Sequence, residues 1–105
     1  MEQTSMKKLQ KEIGKWQNET FGDSNKRPAA ILTHLKRETE ELEKGVIITR
    51  DKKEISTELA DCVILLVGLA EAFNIDLETA VDRKMQVNRK RKWKKPDQQG
   101  VIEHE

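Results

Sequence analysis

Residues 59–70 run Leu59-Ala60-Asp61-Cys62-Val63-Ile64-Leu65-Leu66-Val67-Gly68-Leu69-Ala70, apolar at almost every position, in a chain of only 105 residues. A helix that is apolar nearly all round needs cover on every side, and a chain this short has few partners to supply it. A subunit interface is the expected cover. The fold class that follows is all-α, a four-helix bundle completed by oligomerisation into a homodimer or homotetramer.

Gly and Pro are sparse and fall where helices should break. The first helix is predicted over 5–20, with Leu9, Ile13 and Trp16 as its apolar stripe. Residues 21–25 form a turn-rich connector. Pro28 suits the first turn of a second helix, where its missing N–H costs nothing, and that helix is expected to end at Lys44, before Gly45. The β-branched stretch from Val46 to Thr49 reads as loop. Asp51 caps a third helix running to Phe73, and Asp76 caps a fourth that frays near Trp93. Residues 1–95 make one domain and residues 96–105 a C-terminal tail.

Four carboxylates stand in two pairs, Glu38-x-x-Glu41 on helix two and Glu58-x-x-Asp61 on helix three. Residues three apart share a helix face, so each pair projects oxygens to one side. Glu38 and Glu58 each lie about six residues from the intervening turn, roughly 9 Å along the axis, so a hairpin brings the pairs opposite each other. Both fall on or beside the apolar stripes, where an unpaired carboxylate is costly. Four converging acids call for a hard cation, Mg²⁺ or Mn²⁺. Either pair alone would pass for ordinary solvated helix residues; two pairs at one level favour a metal site. His34, one turn before Glu38, fits packing or support better than ligation.

Charged residues make up 37% of the chain and nearly cancel to +1, which argues against a nucleic-acid binder despite the basic run 83–95. On helix four, Lys84, Asn88 and Arg91 share one side at i, i+4 and i+7, a set suited to phosphate oxygens; a solvated basic helix end is the alternative. Trp16 and Phe21 either pack in the core or wall a pocket that stacks a base, whereas Phe73 is expected to close the core. The single Cys62 excludes an intramolecular disulfide and fits a reducing compartment. No signal pattern opens the sequence, and its longest apolar stretch is too short for a bilayer. A cytoplasmic protein without membrane or nucleic-acid partners is expected.

Glu38-x-x-Glu41-Leu42 followed by Glu58-Leu59-Ala60-Asp61 resembles the E-E-x-x-E and E-x-x-D motif pair of the MazG-like, all-α nucleoside triphosphate pyrophosphohydrolases. The resemblance extends to His34-Leu35-x-x-Glu38 and to Lys84-x-x-x-Asn88-x-x-Arg91-x-Trp93, which look like the branch containing bacterial and phage dATP/dGTP diphosphohydrolases. It covers about residues 16 to 93. The first Glu of the doublet is Arg37 here, pointing away from the stripe. The resemblance implies two or more Mg²⁺ ions, with Mn²⁺ as a substitute, held by Glu38, Glu41, Glu58 and Asp61. It implies water attack at the α-phosphorus of a purine nucleoside triphosphate, dGTP or dATP, releasing pyrophosphate. Glu41, with Glu38 beside it, would orient or deprotonate that water. Lys84, Asn88 and Arg91 would stabilise the departing phosphates, with Trp93, Trp16, Phe21 and His34 as further substrate contacts. A non-catalytic helical interaction protein, or a nucleic-acid module using residues 83–95, is the competing expectation.

Overall fold

The computed structural model describes residues 5–22, 27–91 and 102. Among them are four α-helices and no strand: α1 (Met6–Phe21), α2 (Pro28–Lys44), α3 (Lys52–Ala72) and α4 (Leu77–Lys90). Asp51 and Asp76 cap α3 and α4 as expected, and Ser5 caps α1. The Ser5 hydroxyl accepts from the Lys8 N–H at 3.1 Å, Asp51 accepts from the Lys53 N–H at 3.0 Å, and Asp76 accepts from the Thr79 N–H at 3.2 Å. Each satisfies a helix-start donor that would otherwise lack a partner. Pro28 opens α2. The expected fraying near Trp93 and the C-terminal tail lie outside the described residues, Ile102 excepted.

Gly45 does not stop helix two. It keeps right-handed helical angles and leads into one π-helical turn over Gly45–Thr49, closed by an Arg50 N–H to Gly45 carbonyl bond of 2.7 Å. The reversal is made instead by Arg50, which is left-handed with φ 54°. A Cβ at Gly45 would make ordinary contact with Ile55 Cγ1 on α3, 3.4 Å away, so neither its backbone angles nor its packing demands a glycine. The stretch Val46–Thr49, expected as loop, is thus helical, and the Thr49 hydroxyl ties it to α3 by donating to Glu54 Oε2 at 2.9 Å.

Helix α3 is the central element: α2 and α1 both pack on it, while α4 rests mainly on α1. Gly45 meets Ile55, and Glu38 meets Glu58 and Asp61. Position falls along α2 as it rises along α3, so the two form an antiparallel hairpin. The core is Ile13, Cys62, Leu65, Val67 and Ala70, with Val67 wholly enclosed.

The inward face of α1 differs from the expected Leu9–Ile13–Trp16 stripe. Its buried residues are Gln10, Ile13, Gly14 and Gln17, spaced i, i+3, i+4 and i+7 on one face. Trp16 is 50% exposed. The polar stripe is possible because Gln10 is fully used: its amide nitrogen donates to Glu71 Oε1 and the Ile75 carbonyl at 2.7 and 2.6 Å, and its oxygen accepts from the Leu77 N–H at 3.1 Å. These bonds pin the α3–α4 turn onto α1. Phe73, expected to close the core, is 59% exposed. No helix among the described residues is long and apolar enough to cross a membrane.

Candidate metal centre and nucleotide cleft

The α2–α3 hairpin brings Glu38, Glu58 and Asp61 together, each half-buried and each offering an oxygen within 4.8 Å of the others. The Glu58 carboxyl is pushed above its ordinary value, first by a hydrogen bond with Glu38, then by burial and by the negative charges of Glu38, Asp61 and Glu41. Without a cation the cluster is therefore relieved by holding a proton. Glu58 Oε2 is shut from solvent without a hydrogen-bond partner. Three converging carboxylates with hard oxygen donors fit a divalent cation of the Mg²⁺ or Mn²⁺ kind.

Glu41 stands apart from this group. Its side chain is half exposed and takes Lys44 Nζ at 3.3 Å, though its charge still reaches Glu58. The expected inward quartet is thus three acids and one at the rim. His34 places Nε2 3.3 Å from Glu38 Oε1, a supporting position that orients the carboxylate. Cys62, next to Asp61, keeps its proton more firmly than a free thiol because it is buried and the three acids surround it.

Beyond His34 lies a cleft of about 160 Å³, lined by Gln17, Phe21, Gly22, Arg27, Ala30, Ile31, His34 and Leu65. Its lining is mostly apolar, as expected of a site that takes a flat ring. Phe21 forms one wall, and Trp16 stacks edge-on against it with ring centroids 5.6 Å apart. Trp16 braces the cleft from outside. Arg27 donates to the Phe21 carbonyl at 2.9 Å, joining the end of α1 to the start of α2.

On α4, Lys84 is exposed, and Asn88 and Arg91 are half-buried. Their helix rests on α1, whereas the acids lie on α2 and α3, and the charges acting on Glu58 come from acids. Trp93 lies outside the described residues. Sequence reasoning missed Gln17 and Arg27. The signal for Gln17 was present in its 10, 13, 14, 17 spacing, but a glutamine is seldom read as a core residue.

The pattern that defines the MazG-like family matches residues 32–103. The chain belongs to the MazG-like family. It is 31% identical over 96 residues to a dATP/dGTP diphosphohydrolase of Cyanophage S-2L, covering 91% of this chain and 84% of the relative. It is 34% identical over 87 residues to a dATP/dGTP diphosphohydrolase of Salmonella phage PMBT28, matching 83% of this chain but 27% of that longer protein. Among solved structures, the Cyanophage S-2L MazG-like pyrophosphohydrolase bound to dGDP and three catalytic Mn²⁺ ions per active site is similar with a TM-score of 0.78. The two share 30% identity over 98% of this chain and 99% of that one.

Proposed function

We propose that this MazG-like chain is a divalent-metal-dependent nucleoside triphosphate pyrophosphohydrolase that cleaves a purine deoxynucleoside triphosphate, dGTP or dATP, into the monophosphate and pyrophosphate. The observation that carries the proposal is the convergence of Glu38, Glu58 and Asp61 beside an aromatic-walled cleft, with His34 touching both. The similar phage enzymes support the same substrates.

Glu38, Glu58 and Asp61 would hold the metal, with Glu41 swinging in from the rim as the fourth ligand. Mg²⁺ or Mn²⁺ bound there supplies charge neutralisation for the triphosphate and a water acidic enough to act as nucleophile near neutral pH. His34 fixes the Glu38 carboxylate, so the ligand is oriented before substrate arrives. Alternatively Glu41, half exposed at the rim, would stay off the metal and accept a proton from the attacking water. The cleft between α1 and α2 excludes water from one face of the base, and Phe21 with Trp16 behind it gives a stacking wall. Lys84, Asn88 and Arg91 would serve the departing phosphates. The chain acts as a homodimer or homotetramer, in which the exposed apolar flank of α3 is covered.

A non-catalytic role is disfavoured because Glu38, Glu58 and Asp61 converge. The deciding experiment is pyrophosphate release from the ribo- and deoxynucleoside triphosphates with and without Mg²⁺. Turnover of dGTP or dATP that needs the metal is expected, and Glu38→Gln or Asp61→Asn should lower it by about 10³-fold or more with helical content retained. Variants that turn over at the parental rate would sink the assignment of these acids.

A further inference from the structure

Gln17 is 6% exposed, its Oε1 is shut from solvent, and no hydrogen-bond partner meets that oxygen. Two helical turns earlier on the same stripe, Gln10 spends its amide fully on Glu71, Ile75 and Leu77. The contrast separates a structural glutamine from one held in reserve. Helix α3 is shaped to receive it: a Cβ at Gly68 would overlap the Gln17 amide, so the glycine leaves a notch in which that amide lies. Burying an unpaired acceptor is costly, and the cost persists where a ligand relieves it. Gln17 also lines the cleft beside Phe21, Arg27 and His34.

We propose that the Gln17 amide reads the edge of the purine base, and that it takes both adenine and guanine by turning over about its last side-chain bond. The proposal rests on the purine-triphosphate activity above and names the group that sets its base preference. Adenine presents an N6–H donor beside the N1 acceptor; guanine presents the O6 acceptor beside an N1–H donor. These patterns are mirror images. A glutamine amide carries one acceptor and one donor side by side, so a half-turn matches it to either base. A carboxylate in the same place has acceptors only. It can pair with guanine N1–H and its 2-amino group, but it sets a lone pair against adenine N1.

The test compares the parental protein, Gln17→Glu and Gln17→Met in calorimetric titrations with dGDP, dADP and inorganic tripolyphosphate, all with Mg²⁺, alongside kcat and KM for dGTP and dATP. Gln17→Glu should shift the dGTP to dATP ratio of kcat/KM, and the dGDP to dADP ratio of affinities, about tenfold or more towards guanine. Gln17→Met, close in size and uncharged, should weaken both diphosphates and raise both KM values with kcat nearly kept. Tripolyphosphate, which has no base, should bind all three proteins alike. A base ratio unmoved by Gln17→Glu overturns the assignment, as does parental binding of both diphosphates by Gln17→Met. Equal loss of tripolyphosphate and nucleotide in the variants also overturns it, because the residue would then be shaping the phosphate site. Failure of the underlying activity shows separately, as parental protein that releases no pyrophosphate.

Discussion

Glu58 sits where three negative charges meet a partly closed space, and its proton reports the state of the whole cluster. Because its carboxyl is raised in the folded chain, chiefly through the hydrogen bond with Glu38, the metal-free fold holds that proton more tightly than the unfolded chain does. The contribution to stability is therefore complete below the ordinary carboxylate value and is lost as pH rises through the raised one. Glu58→Gln imitates the protonated form at every pH. In chelator at neutral pH, Glu58→Gln should melt higher than the parental protein, and the gap should close as pH falls towards about 4. Saturating Mg²⁺ should reverse the order, since only the parental site gains binding energy. A gap independent of pH would show that Glu58 carries no shared proton. The sequence disclosed these acids because residues three apart on a helix must share a face. It could not disclose that Glu41 turns out to Lys44, because that choice is made by side-chain torsions among nearly equal alternatives.

The helix starts follow from local chemistry, and the caps at Asp51 and Asp76 were legible for that reason. The α2–α3 reversal was not. A glycine followed by four β-branched residues reads as a stop and a loop, yet Gly45 is helical and the chain turns at Arg50. The helix runs through the glycine into a wide π turn, which carries the extra residue that the reversal needs. Two substitutions separate the alternatives. Arg50→Gly relieves a left-handed backbone and should stabilise the fold by roughly 0.5–1 kcal/mol. Gly45→Ala places a Cβ in ordinary contact with Ile55 and should be neutral or stabilising by up to about 1 kcal/mol. If Gly45 were the stop, the alanine would destabilise and Arg50→Gly would do nothing. Equilibrium denaturation in chelator reads both. The stripe of α1 was misplaced for a related reason: tryptophan is the greasier residue, but only glutamine at position 10 answers the polar groups of the α3–α4 turn.

In the whole molecule, surface is what remains unexplained by one chain. Leu59, Val63 and Leu66 stand at i, i+4 and i+7 on α3, and Phe73 follows seven residues on; all four are exposed. Leu9 and Ile13 of α1 flank the same face across a shallow apolar groove. One helix thus buries one side against α1 and α2 and leaves an apolar stripe on another, a surface suited to a subunit contact. A standard interface removes about 800 Å² from each partner, and a dimer, or a tetramer made from dimers, is the expected assembly. Light scattering at micromolar concentration should show no stable monomer. Leu66→Glu, which puts a charge in the middle of the stripe, should lower the assembled mass and reduce pyrophosphate release together if α4 of one chain serves the acids of another. Dissociation with full activity would place Lys84, Asn88 and Arg91 back with the acids of their own chain, and a well-folded parental monomer would remove the shared-helix interface itself.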